Sequence, residues 1–173
     1  MAAKALAHSI DGVADEVATF EWRSIVPAPA REVFAWHERP DAFLELAPSR
    51  RLVTLLERDG GIRDGGRLRF RMGVGPFAIE WHARHYGYVE GVQFCDEQVS
   101  GPFRVWRHTH RVVPVGPGAC AMEDHIEYAL KGGRFWRRLA GPIVRRLLAV
   151  GFAQRHRALR DSLRRLGTVH TEA

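Results

Sequence analysis

Residues 101–113 read GPFRVWRHTHRVV. Trp106, His108, His110 and Val112 fall on one parity, and Val105, Arg107, Thr109 and Arg111 on the other. In a strand, successive side chains point to opposite faces, so one face carries two cations and a hydroxyl while the other carries an indole and two imidazoles. The next run, ACAMEDHIEYAL (119–130), follows the turn signal Gly116-Pro117-Gly118 and supplies the answering charges. Paired as a hairpin, Arg107 meets Glu127 and Arg111 meets Glu123, each pair contributing a few tenths to ~1 kcal/mol. The same register sets Trp106 beside Tyr128, His108 beside Ile126 and His110 beside Asp124. Complementary charge marks the arginine face as solvent, and the histidines are expected inside.

Outward from this hairpin the period-2 pattern extends in both directions. VQFCDEQVSGPF (92–103) connects through a tight Ser100-Gly101-Pro102 turn and brings Phe94, Asp96 and Gln98 to the same inner face. In the run before it, Ile79, Trp81, Ala83 and His85 alternate against Glu80, His82 and Arg84. RLRFRM (67–72) sets three arginines against Leu68, Phe70 and Met72. Turn signals at 59–61, 64–66, 73–76 and 91 divide the region into runs near 50–58, 66–73, 76–88, 91–99, 103–115 and 119–130. FEWRSIV (20–26) is a further strand. Between it and the others, PAPAREVFAWHERPDAFLELAPS changes period and predicts two short helices divided at Pro40 and ended before Pro48.

From Gly133 to Leu166 the period is helical, with Phe135, Leu139, Ile143, Leu147, Val150, Leu159, Leu163 and Leu166 expected on one apolar stripe. Gly141-Pro142 is expected to mark a kink or the start of the long portion. One strand, two short helices, six antiparallel strands and a long terminal helix predict an α+β helix-grip fold, a curved sheet closed by that helix with a pocket between them. At 173 residues the chain suits one such domain over 17–166, with a flexible arm at 1–16 and a tail at 167–173.

The chain holds 46% hydrophobic residues, with five Trp and nine Phe, enough for a core. The two cysteines, no charged leader and no apolar run near ~18 residues predict a cytoplasmic protein with free thiols and no stable membrane insertion. The net charge of +6 is concentrated. Lys131 to Leu166 holds ten Arg, one Lys and one Asp, a balance of +10 that leaves the rest at −4. This reads as the solvated face of a packed helix, so no specific nucleic-acid partner is expected; a membrane- or nucleic-acid-associated accessory role through that basic face is the last alternative. No P-loop, zinc-finger or dinucleotide glycine motif is present.

The pattern FCDEQVSGPFRVWRHTH, with MEDHIEYAL after it and PAREVFAWHERPDAF before it, resembles the START-like superfamily called SRPBCC, in its bacterial cyclase/dehydrase-like or polyketide cyclase-like branch. The likeness runs from about Phe20 to Leu166. It is most distinctive in Asp96, Gln98, Gly101-Pro102-Phe103, Trp106, His108, His110, Asp124 and Tyr128. It implies a helix grip whose cavity takes an apolar or aromatic small molecule.

The expected ligand-binding set is therefore Trp81, His85, Phe94, Asp96, Gln98, Trp106, His108, His110, Asp124 and Tyr128. Two roles are open to its polar members. They can contact a bound carbonyl or phenol. Alternatively His110 with Asp124, or His108, moves protons in a polyketide cyclase-like aldol cyclisation and dehydration. His108, His110 and Asp96 or Asp124 could also form an imidazole–carboxylate triad, but no other ligand spacing in the sequence supports it, and neither metal nor cofactor is expected. Cys95 has no base at matching spacing and is not expected to be a nucleophile.

Overall fold

The computed structural model describes residues 17–47, 49 and 51–167, the side chains of 133–137 excepted. The arm expected at 1–16 and nearly all of the tail expected at 167–173 lie outside the described residues. The elements run β1 (Ala18–Val26), α1 (Ala30–Glu38), α2 (Ala42–Leu46), β2 (Val53–Asp59), β3 (Arg67–Met72), β4 (Ile79–Val89), β5 (Gln93–Ser100), β6 (Phe103–Gly116), β7 (Ala119–Leu130) and α3 (Gly133–Arg165). The strands form one antiparallel sheet in the order β1-β7-β6-β5-β4-β3-β2, so only β1 departs from neighbour-to-neighbour pairing, crossing to the far side of β7. With α3 packed on the inner face, this is the α+β helix grip.

Proline sets the ends of the short helices. Arg39 and Ala47 each precede a proline, and both have left the helix for extended backbone at ψ 142° and 137°. β4 begins at Ile79, later than the pattern predicts, because Gly75–Phe77 forms a single 3₁₀ turn after Gly73 at φ 120°. The register of the β6–β7 hairpin is Trp106↔Tyr128, Arg107↔Glu127, His108↔Ile126, His110↔Asp124 and Arg111↔Glu123. Across the outer face Arg107 lies 3.6 Å from Glu127, while Glu123, opposite Arg111, takes the Arg23 guanidinium of β1 at 3.0 Å.

The inner face carries two apolar clusters. One joins α1, α2 and the C-terminal end of α3 through Phe34, Trp36, Leu46, Met122, Leu159 and Leu163. The other gathers Phe20, Trp81, Trp106, Ile126, Tyr128 and Phe152. Within the first, the Trp36 indole N–H donates to Ser162 Oγ at 2.9 Å, tying α1 to α3.

α3 differs from its expected phase. Leu159 and Leu163 are 1% exposed, but Leu139, Ile143, Leu147, Val150 and Leu166 are all more than half exposed. The inward stripe runs instead through Val144, Leu148, Phe152, His156, Leu159 and Leu163. Phe135 has no described side chain. The helix continues through Pro142 from Gly133, so Gly141-Pro142 is not its start. Among the described residues no helix is long and apolar enough to cross a membrane.

Both thiols are shielded. Cys120 is fully buried on β7, and burial pushes its pKa up to about 11. Cys95 has the outward parity, yet it is 5% exposed and its thiol, raised by burial, sits 3.5 Å from Thr109 Oγ1. Only thiolate reacts with an alkylating agent. Iodoacetamide near neutral pH is therefore expected to leave the native chain unmodified while alkylating both cysteines in urea, with native labelling of Cys120 rising only as the pH nears 11; intact mass reads the outcome.

Candidate functional site

The alternation of β6 buries Trp106, His108, His110 and Val112 and leaves Arg107 and Arg111 exposed. Neighbouring strands add their partners by register. β5 places Asp96 opposite His108 and Phe94 opposite His110, and β7 places Asp124 opposite His110. β4 adds Trp81 and His85, the latter opposite Asp96. α1 contributes His37, and α3 contributes Phe152, Arg155 and His156.

Between sheet and α3 lies a cavity of about 590 Å³. Its wall is largely apolar, with one aromatic run: Phe70 stacks on Trp81 at 5.8 Å, Trp81 meets Trp106 edge-on at 5.1 Å, and Phe103 and Phe152 also line it. Phe94 stacks on the His110 ring at 4.3 Å and 16°, which fixes the plane of that imidazole. Polar groups converge at one region, where Asp96, His85, His108 and His110 reach the space.

Behind that region is a buried network. His108 Nε2 lies 2.8 Å from Asp124 Oδ1, and its Nδ1 lies 3.3 Å from Asp96 Oδ2. His110 Nε2 is 3.2 Å from the same Asp96 oxygen. His110 Nδ1 sits 2.7 Å from Asp124 Oδ1 but outside the direction a hydrogen bond requires, so it is a buried nitrogen without a bonded partner. His156 Nε2 reaches Asp124 Oδ2 at 2.5 Å, and its Nδ1 contacts Ser24 Oγ at 2.6 Å, which in turn accepts from Arg160.

Charge follows from these contacts. Burial opposes the charge of Asp124, but His108, His110 and His156 outweigh it and hold the carboxyl well below the usual range. Asp96 is likewise held low by His108 and His110 against burial. Burial works against a protonated His108 too, yet the two carboxylates raise its pKa. His37 behaves oppositely: burial lowers its pKa to about 3, so it is neutral. Its Nδ1 lies 2.7 Å from the Val33 carbonyl, which can only accept, so the proton is on Nδ1 and Nε2 is the ring's acceptor. Burial also lowers His85, whose Nδ1 has no partner.

Of the ten residues expected to bind ligand, Trp81, His85, Phe94, Asp96, Trp106, His108 and His110 line the cavity. Three stand elsewhere. Gln98 folds back on its own turn, its amide bonding both the carbonyl and the N–H of Phe103 at 2.8 and 3.2 Å. Gly101 leaves the room for this, since a Cβ there would come within 2.5 Å of Gln98 Oε1. Asp124 lies behind the two histidines, 3% exposed, and does not reach the cavity. Tyr128 packs in the aromatic cluster beyond Phe103, with ring centroids 6.0 Å apart.

His37, Arg58, Arg155 and His156 are site residues that the sequence reading missed. Arg58 reaches the cavity with its guanidinium tied to the Arg39 carbonyl at 2.9 Å and to that of Pro40, and burial lowers its pKa. Arg155 lies over the Phe152 ring at 5.5 Å. The available signal for His156 was its spacing of four from Phe152 and three from Leu159, which continues the inward stripe.

Comparison with known proteins places this geometry. The family model described as polyketide cyclase / dehydrase and lipid transport matches residues 26–150. No curated protein matches the chain. Among solved structures, a START superfamily protein from Mycobacterium smegmatis is similar with TM-score 0.66 and 18% identity, over 86% of this chain and 98% of that one. Norcoclaurine synthase from Thalictrum flavum, in complex with dopamine and hydroxybenzaldehyde, is similar with TM-score 0.65 and 16% identity, over 91% and 90%. The Zhui aromatase/cyclase from Streptomyces sp. R1128 gives TM-score 0.62 and 12% identity, over 86% and 94%. At these identities the structures share the fold, and it is the family model, matching well over half of the sequence, by which this chain belongs to the polyketide cyclase / dehydrase and lipid transport family within the START-like SRPBCC superfamily.

Proposed function

We propose that the chain binds a largely apolar, aromatic small molecule carrying a carbonyl or phenol oxygen, held between the sheet and α3. The observation that carries this reading is the cavity itself. Its volume of about 590 Å³ falls in the range of small-molecule sites, and its apolar wall, aromatic along one side, meets a few convergent polar groups. Asp96, His85, His108 and His110 border the cavity at one region, where a single oxygen function of a ligand would meet them. The family description supports the reading, as do relatives named for an aromatase/cyclase and for a complex with hydroxybenzaldehyde.

The test uses native mass spectrometry with organic extraction, then titration of a naphthol probe followed by tryptophan fluorescence. Trp81 and Trp106 lie in the wall, so saturable quenching at one equivalent is expected. At a hundred times its Kd the probe should add ~2.7 kcal/mol of stability, roughly 5–10 °C in Tm. No carried molecule together with no saturable probe binding overturns the reading.

Catalysis of aldol cyclisation and dehydration is the second reading. It is favoured by His108, a cavity-facing imidazole whose far nitrogen is oriented by a buried carboxylate. It requires that a reactive poly-β-keto mimic give products different from buffer, and that His108→Ala or His110→Ala remove the difference while weakening, not abolishing, probe binding.

A further inference from the structure

We propose that Asp96, His108 and His110 bind a divalent first-row transition metal ion at the floor of the cavity. Three donor atoms from three different residues, all within 4.8 Å of one another, converge there. Asp96 Oδ2 lies 3.3 Å from His108 Nδ1 and 3.2 Å from His110 Nε2. An ion bound at the usual ~2.0–2.2 Å to nitrogen and oxygen holds adjacent ligand atoms ~3.0–3.5 Å apart, so the two spacings to Asp96 already suit one, with the two imidazole nitrogens within 4.8 Å of each other.

The far nitrogens supply the second observation. His108 Nε2 and His110 Nδ1 both lie within reach of one oxygen of Asp124, at 2.8 and 2.7 Å, the first as a hydrogen bond and the second off its direction. Metal-bound imidazoles characteristically turn their second N–H to a carboxylate, which fixes the tautomer and raises basicity. With those protons toward Asp124, the lone pairs on His108 Nδ1 and His110 Nε2 point to the junction with Asp96, where three acceptors meet and only a proton or a cation satisfies them. His110 Nδ1, left without a directional bond in the ion-free arrangement, gains one by a small ring rotation toward Asp124. Asp124 is itself anchored from behind by His156.

Charge and access agree with an ion. Asp96 and Asp124 place two carboxylates in a region where every member is buried or nearly so, and a dication neutralises both. The donor set of two imidazoles and one carboxylate suits zinc, iron, cobalt or nickel ions better than calcium or magnesium. Asp96, His108 and His110 all border the cavity, so the remaining coordination position opens on it. The inference goes beyond ligand binding and is tested on ligand-free protein, so either can fail alone.

The experiment strips the full chain with chelator and titrates it with Co²⁺ and then Zn²⁺. One Co²⁺ per chain is expected, with visible d–d absorption and two paramagnetically shifted imidazole N–H resonances, all displaced by one equivalent of Zn²⁺. Asp124→Asn should weaken binding ~10–100-fold, as outer partners of metal ligands do, and Asp96→Asn by more than that. His82→Ala, which removes an exposed histidine paired with Glu80 on the opposite face, should leave affinity unchanged. The N–H resonances need no substitution, so they decide the matter even if a variant does not fold. Absence of stoichiometric Co²⁺ binding, absence of the two resonances, survival of binding in folded Asp96→Asn, or its loss in His82→Ala would each overturn the proposal.

Discussion

Replacing Asp124 with alanine is expected to lower the unfolding free energy by ~3–5 kcal/mol, the usual cost of removing one partner from a buried charged network. The carboxylate is 3% exposed and serves three imidazoles from two different elements, His108 and His110 on β6 and His156 on α3. Without it those rings face an apolar gap with nothing to bond, and the tie between sheet and helix through His156 is cut. For a chain of this size the loss corresponds to roughly 6–20 °C in Tm. Asp124→Asn keeps the shape and one acceptor and should fall between the two. Glu127→Ala, whose ion pair with Arg107 is solvent-exposed, should be near neutral. Equal Tm values for Asp124→Ala and Glu127→Ala in a thermal melt would show that the network does not hold the fold.

Gly151→Phe is expected to weaken naphthol binding ~10–100-fold without loss of stability. Gly151 lies inside α3 and borders the cavity, and a Cβ at this position would meet no atom within 4 Å. A glycine in a helix interior costs ~1 kcal/mol relative to alanine, so almost any side chain relieves backbone freedom here. The phenyl ring then occupies the volume that the probe needs. Forcing both into one space costs ~1–3 kcal/mol of overpacking, or ~10–100-fold in Kd. A Tm at or above that of the parent with the quenching midpoint shifted to higher probe concentration ties binding to this cavity; an unshifted midpoint moves the binding site elsewhere.

The sheet was legible because its information is local. Alternation along β6 assigned the two faces, glycine-bearing turns divided the strands, and opposite charges on Arg107 and Glu127 picked the hairpin register. Once Asp96, His108, His110 and Asp124 shared a face, their proximity followed from the register alone. The helix was less legible, since its apolar residues, Leu139, Ile143, Leu147 and Val150 among them, admit two stripes about one residue apart. Which stripe turns inward depends on how α3 crosses the sheet, where β1 lies more than a hundred residues earlier in the sequence. The same non-local choice brings His156 to Asp124 and Arg155 to the cavity. His37 was hidden for a similar reason: its neighbour Trp36 accounts for the apolar pattern, while the imidazole is turned toward His110, 6.4 Å away, by the packing of α1.

Along α3, no described side chain from Arg138 to Val150 is buried, whereas Phe152, His156, Leu159, Ser162 and Leu163 all are. The rod is thus sunk deepest at its C-terminal half, while Val144, Leu148 and Ala149 rest on the second cluster only partly covered, so the roof that α3 gives the cavity is thick at one end and thin at the other.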